Sequence, residues 1–249
     1  MSFVALRFYA ELNDFLRDAH KMTQFKLELN RRTSVKDLIE SLGVPHTEVE
    51  IILANGKSVD FSYIVEDEDD ISVYPMFESV DITPILKLRD TPLRQTSFVL
   101  DCHLGRLARY LRQFGFDTLY RNDYADDELA RISAETNRIL LTRDRSLLKR
   151  SIITHGYFIR ESDPRKQLDE VVRRFDLKDQ IVPFGRCTRC NGSVKLVNKQ
   201  DIVDRLEPKT RLYYDTFWQC TSCGQVYWEG SHVKHMIKLT DEVLNSDSI

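Results

Sequence analysis

Four of the five cysteines fall into two Cys-x-x-Cys pairs, Cys187-Thr-Arg-Cys190-Asn-Gly and Cys220-Thr-Ser-Cys223-Gly, with 29 residues between them. A two-residue spacing lets both thiolates of a pair grip one ion at about 2.3 Å, and the glycine that follows permits the tight turn that aims backbone N–H groups at sulfur. Strand-like VKLVN, YYDTFWQ and QVYWEGS supply the ribbon on which such turns sit. The pattern assigns Cys187, Cys190, Cys220 and Cys223 to one structural Zn2+ ion, with no open position for chemistry. The competing readings are two disulfides, four free buried cysteines, or a redox pair, which needs only one Cys-x-x-Cys. Thiols that meet metal suit a reducing compartment. Cys102 stands alone and reads as a core thiol.

A chain of 249 residues at 42% hydrophobic can bury a real core and suggests one or two domains, with room for a small third. No run approaches the roughly 20 consecutive apolar residues of a membrane span. The start, MSFVALRFYAELNDF, lacks the regions of a secretory signal, so the expected address is cytoplasmic, with no membrane partner. The net charge of -3 hides an asymmetry. Residues 1–82 hold 8 Lys/Arg against 16 Asp/Glu, and residues 83–249 hold 28 against 23. An acidic head on a basic body points the body, and not the head, toward an anionic partner.

Within the head, VALRFYA and FKLELN alternate as strands do. Thr33 or Ser34 can cap a helix whose Val35, Leu38, Ile39 and Leu42 share a face. EIILANG, FSYIV and ISVYPMF follow as strands, with Asn55-Gly56 as a hairpin turn. The order reads as a small α+β domain over residues 1–82. The phrases LRFYAELN, TSVKDLIESLGVPHTEVE, ILANGKSV and DEDDISVYPMF resemble the ubiquitin-like sulfur-carrier proteins of thiamine and molybdopterin synthesis, which implies a β-grasp fold. Those carriers end in Gly-Gly, whereas this segment ends FESVDITP and the chain continues, so carrier chemistry is not expected. Residues 83–96, with two prolines and no apolar period, read as a linker.

From Ser97 the pattern becomes strand, helix, strand, helix, strand. FVLDCH is a short apolar strand, and Leu104, Leu107, Ala108, Leu111 and Phe114 then recur at helical spacing up to Gly115. FDTLY, RILLTRD and THGYFI are further strands. ADDELARISAETN, SLLKRS and RKQLDEVVRRF, the last started by Asp163-Pro164, are helices. Such alternation implies an α/β fold with a parallel sheet covered by helices on both faces, whose ligands bind beyond the carboxyl ends of the strands. Asp101 closes the first strand, Asp126 and Asp127 open the helix after the second, and Asp144 closes the third. Singly, Asp126 or Asp127 can cap a helix, Asp144 can be a turn residue and Asp163 a helix starter. Asp101 differs, because a carboxylate ending an apolar strand needs a cation or donors. Converging carboxylates repel one another unless a metal is present, and hard oxygen donors suit Mg2+ or Mn2+.

FVLDCHLGRLARYLRQFGFDTLY, DDELARIS, RILLTRDRSLLKR, VPFGRCTRCNG and YWEGSH, in this order, resemble the Mut-seven C-terminal ribonuclease family over residues 97 to about 240. The resemblance implies a PIN-like domain over 97–182, a zinc ribbon over 183–240 and a tail over 241–249, and a ubiquitin-like head in front is a recognised arrangement of that family. It implies metal-dependent hydrolysis of RNA, with Asp101, Asp126, Asp127 and Asp144 as catalytic acids. Asp101, Asp127 and Asp144 would hold the Mg2+ or Mn2+, and Thr142 would be the small hydroxyl residue beside it. Cys102 stands where a small apolar residue is usual.

Arg106, Arg109 and Arg112 recur every three residues on the helix after Asp101, on the face opposite the leucines, and Arg143 and Arg145 flank Asp144. With Arg186 and Arg189 of the ribbon they are the candidates for gripping RNA phosphates; the plainer reading is solvated faces. Tyr213, Phe217 and Trp218 could stack bases or fill the ribbon's core. His103, His232 and His235 have no assigned role. Two functions compete: a metal-dependent ribonuclease, or a non-catalytic RNA-binding or ribosome-associated adaptor whose head docks a protein partner. In the first, the acidic head is expected to occupy the basic groove and restrain turnover.

Overall fold

The computed structural model describes residues 2–75, 96–183 and 185–230. Residues 83–95 of the expected linker, the 241–249 tail, His232 and His235 lie outside the described residues. The head contains β1 (Ser2–Phe8), β2 (Phe25–Leu29), α1 (Val35–Ser41), β3 (Val49–Ala54), β4 (Lys57–Val59) and β5 (Asp70–Pro75). The body follows with β6 (Ser97–Leu100), α2 (Gly105–Gln113), β7 (Asp117–Tyr120), α3 (Asp126–Thr136), β8 (Ile139–Thr142), α4 (Arg145–Leu148), β9 (Gly156–Phe158) and α5 (Pro164–Arg174). Last come β10 (Val194–Val197), α6 (Lys199–Ile202), α7 (Pro208–Tyr213), β11 (Phe217–Cys220) and β12 (Val226–Trp228). The chain packs as two compact units. One joins the head to Ala125–Phe158, and the other joins Thr96–Tyr124 to the segment from Ile159 onward.

In the first unit the head forms a β-grasp sheet of order β2-β1-β5-β3-β4, with β1 and β5 parallel at its centre and the other neighbours antiparallel. Strand alternation sets the inner face: Val4, Leu6 and Phe8 of β1 and Ile71 and Val73 of β5 join Val35, Leu38 and Ile39 of α1 in one core. Ser34 caps α1, its Oγ accepting from the Asp37 N–H at 3.1 Å. Asn55 and Gly56, both at positive φ, make the β3–β4 turn. FSYIV, expected as a strand, makes only one bridge, Ser34 to Ile64. Its backbone is used instead to anchor α1, the Tyr63 carbonyl accepting from the Val35 N–H at 2.8 Å.

The head is fastened to the α/β segment of its unit, where β8 and β9 run parallel with Leu141 opposite Tyr157. The turn His46–Glu48, entering β3, carries the attachment. His46 Nε2 donates to the Ile153 carbonyl at 2.9 Å while Nδ1 lies 2.6 Å from Glu40 Oε1. Lys149 Nζ donates to the Glu40 carbonyl at 2.8 Å. Glu48, 1% exposed, accepts from the Phe158 N–H, and the Phe158 ring meets Phe15 edge-on at 5.8 Å and packs on the head's core.

In the second unit β6 and β7 run parallel, Phe98 opposite Thr118 and Leu100 opposite Tyr120. Leu104, Leu107, Ala108, Leu111 and Phe114 are all buried, as their spacing predicts. Asp163 caps α5, its Oδ1 accepting from the Arg165 and Lys166 N–H groups, with Pro164 in the first turn. The ribbon is an antiparallel sheet of order β10-β11-β12, and Ile202, Leu206, Phe217 and Val226 form its small core. The helices α6 and α7 between its strands are not apparent from the alternation that marks β10 and β11.

Candidate active site

Asp101 ends β6 and is only 7% exposed, because Phe98, Val99 and Leu100 before it are fully buried. A short 3-10 turn, Cys102–Leu104, follows it and leads into α2. One ligand atom each of Asp101, Cys102 and His103 lies within 4.8 Å of the others, so this corner can hold a cation. Cys102 is half-buried, and its hydrogen bond to the Asp101 carboxylate, together with burial and the negative charge, pushes the thiol upward from its ordinary value. Its partner is therefore the acid beside it, not a packed core.

The other candidate acids belong to the first unit. The Thr142 hydroxyl, fully buried at the end of β8, accepts from the Asp144 N–H at 2.9 Å and fixes that residue's backbone. Asp144 caps α4: Oδ1 accepts from Ser146 N–H at 2.7 Å and from Ser146 Oγ at 2.6 Å. Those bonds from Ser146, opposed by burial, hold its carboxyl below the usual range, and the Arg150 guanidinium adds to the effect. Arg150 also forms an ion pair with Asp127. One cation thus acts on both acids, a role that the sequence reading missed. The only sequence signal was a basic residue six positions after Asp144. Asp126 is exposed in the first turn of α3.

The four ribbon cysteines come together. Cys187 Sγ is 3.6 Å from Cys223 Sγ, and Cys190 Sγ is 3.5 Å from Cys220 Sγ. A tetrahedral ion with bonds of about 2.3 Å requires sulfurs about 3.8 Å apart, so the cluster has the size to hold one. Ser222 and Cys223 aim their N–H groups at Cys220 Sγ, at 3.4 and 3.5 Å. Burial raises the Cys220 thiol, but these donors and the neighbouring thiols outweigh it and bring it down to about 6. Both expected glycines serve the turns, in different ways. Gly224 takes positive φ, whereas in the first turn Asn191 does so and Gly192 is needed because a Cβ there would lie 2.5 Å from Ser222 Oγ.

The candidate RNA-binding arginines part company. Arg106 and Arg109 are exposed and line an open cleft of about 460 Å³ at the start of α2. Arg143 and Arg189 are exposed. Arg145 lies over the rings of Phe15 and Phe158, at 5.0 and 5.1 Å, against the head. Arg112 is 6% exposed: Nε donates to the Thr118 carbonyl at 2.8 Å, and Nη1 to the carbonyls of Thr188 and Arg189 at 3.3 and 3.2 Å. Each three-residue step falls about 60° short of a full turn, so two steps carry Arg112 from the solvent face to the packed flank of α2. Asn191 continues the seam, accepting from Thr118 N–H at 2.9 Å and donating to Asp117 at 2.7 Å. Arg112→Ala should cost about 2–4 kcal/mol and lower the melting temperature by roughly 5–10 °C. Arg109→Ala, in the same helix but exposed, should shift it far less in the same thermal denaturation. In the ribbon, Phe217 fills the core while Tyr213 stands 72% exposed.

These site geometries lie in a chain whose two parts each match a family model: the Mut7-C RNAse domain over residues 96–240 and the Mut7-C ubiquitin domain over residues 1–81. The chain belongs to the Mut7-C RNAse family. The Mut7-C RNAse match takes in β6, with Asp101 at its end, and the whole cysteine cluster, and the ubiquitin match takes in the β-grasp head. No curated protein and no solved structure matches the chain. Among the described residues of this Mut7-C chain, no helix is long and apolar enough to cross a membrane.

Proposed function

We propose that this Mut7-C chain is a metal-dependent ribonuclease in which Asp101, Asp127 and Asp144 hold Mg2+ or Mn2+, with Asp126 assisting and RNA held by Arg106, Arg109, Arg143 and Arg189. The observation that carries the reading is Asp101: a carboxylate almost fully buried at the end of an apolar strand, in a chain whose body matches a ribonuclease domain. A divalent ion bound there would lower the pKa of water and offset negative charge on the phosphodiester. The chain's own groups prepare the site. Thr142 fixes the backbone of Asp144, Ser146 orients the Asp144 carboxylate through Oδ1, and Arg150 holds Asp127 by an ion pair. Arg145, stacked on the head, serves attachment more directly than substrate. The test is cleavage of a panel of defined RNAs by the purified chain, with Mn2+ and with Mg2+. Salt-sensitive binding with no cleavage under either metal would support the adaptor instead.

We infer that the ion of the cysteine cluster is Zn2+, since four thiolates at tetrahedral spacing suit it and leave no open position. Thiols kept reduced for a metal support a reducing compartment such as the cytoplasm as its address. Elemental analysis should find one zinc per chain, and Cys220→Ser should lose it. Because Arg112, Asn191 and Arg186 tie the first cysteine turn to β7, hydrogen exchange in the zinc-free protein should rise in β7 and the end of α2 as well as in the ribbon.

A further inference from the structure

The cleft at the start of α2 contains more than a pair of arginines. His103, Arg106, Arg109, Tyr120, Ser162 and Gln167 line it. Its volume of about 460 Å³ lies in the range of small-molecule sites, roughly 300–1,000 Å³. Among the described residues two guanidinium groups and no carboxylate line it, and neither arginine has an ion-pair partner. The ligand class is therefore anionic.

Its wall is built. The Tyr120 hydroxyl donates to the Cys102 carbonyl at 3.0 Å, which lays the ring across the first turn of α2. Gly105 makes this approach fit, since a Cβ there would lie 2.5 Å from the Tyr120 oxygen and 2.8 Å from its ring carbon. At the first position of α2, two residues past His103 of the Asp101 corner, the glycine lets the Tyr120 ring lie as a fixed aromatic wall. Opposite in character is Gln167, 5% exposed: its Nε2 donates to the Glu161 carbonyl at 3.0 Å, and Oε1 has no partner among the described residues. That oxygen is not among the fully buried atoms that lack a partner, so it is open at the cleft and free to accept from a ligand's donor in place of water.

We propose that this cleft is a nucleotide subsite of the ribonuclease, in which Arg106 and Arg109 take a phosphate, Tyr120 and His103 flank the base, and Gln167 reads the base edge. The proposal rests on the nuclease reading for its place in the reaction, because the cleft opens directly after Asp101. Flat rings, two cations and a carboxamide together match a nucleotide better than a bare phosphate, which has no use for the ring or the carboxamide.

The test uses the full chain carrying Asp101→Asn and measures equilibrium binding of AMP, GMP, CMP, UMP, ribose 5-phosphate and inorganic phosphate. At least one nucleotide should bind about 10-fold or more tightly than ribose 5-phosphate. The double variant Arg106→Ala/Arg109→Ala, at two exposed positions, should weaken all the phosphorylated ligands by about 10- to 100-fold. Gln167→Leu should reduce the difference among the four nucleotides and leave ribose 5-phosphate unchanged; if that variant does not fold, Gln167→Glu should reorder the preference. Nucleotides that bind no better than ribose 5-phosphate, or arginine variants with unchanged affinities, would overturn the subsite. Failure of the nuclease reading shows elsewhere, as absence of RNA cleavage by the wild-type chain while nucleotides still bind.

Discussion

Asp101→Asn should reduce RNA cleavage on the order of 10³-fold or more in kcat while leaving the melting temperature within a few degrees of the wild type. The substitution keeps shape and an acceptor oxygen and removes the charge. Asp101 is buried behind Phe98, Val99 and Leu100, where a carboxylate is poorly solvated and its charge acts strongly on a nearby cation. Losing that charge should weaken the hold on Mg2+ or Mn2+, so raising the metal concentration should recover only part of the rate. RNA binding in the absence of cleavage should persist, since the arginines are untouched. Equal cleavage by wild type and variant, measured by single-turnover kinetics on a defined RNA, would remove Asp101 from the chemistry and with it the nuclease proposal.

The second large effect concerns the head. Deleting residues 1–82 should lower the melting temperature by about 10–20 °C or leave the remainder insoluble, and cleavage should fall with it. The charge asymmetry by itself suggests the opposite, an acidic inhibitor whose removal speeds turnover. Packing within the first unit argues against that. His46 bonds Ile153, Lys149 bonds Glu40, Glu48 bonds Phe158, and the Phe158 ring packs against the head's core. At about 1 kcal/mol for each hydrogen bond and about 2 for the ring, the loss is about 5 kcal/mol, which sets the temperature range. A deletion that stayed folded and cleaved faster would restore the inhibitory role. The milder Glu48→Gln keeps an acceptor for the Phe158 N–H, so it should lower stability far less than deletion.

The parts legible in the sequence are those decided by neighbours a few residues apart. Ser34 and Asp163 cap their helices because a cap bonds N–H groups two or three positions on. The buried stripe of α2 follows from a 3.6-residue period, and the β3–β4 turn from Asn55-Gly56. The cysteine cluster was legible for the same reason: each pair is local, and two pairs of one kind have little else to do. Expectations failed where local pattern met a distant partner. FSYIV alternates like a strand, yet its carbonyl groups serve α1. Arg112 sits in a stripe of arginines, yet two of its three carbonyl acceptors lie 76 and 77 residues away.

Sequence alone determined most of the elements and their order, the family, and which residue types could bind metal or phosphate, but not α6, α7 or the fate of FSYIV. Tertiary structure alone decided where each charge is used. Arg145 went to the aromatic rings at the head, Arg112 to the cysteine turn, Arg150 to Asp127, and Arg106 and Arg109 to an open cleft walled by Tyr120 and Gln167. The physical reason is that a cation's role depends on the acceptors and solvent around its tip. Periodicity reports which face of an element is apolar, and is silent on what a chain 100 residues later brings to the other face.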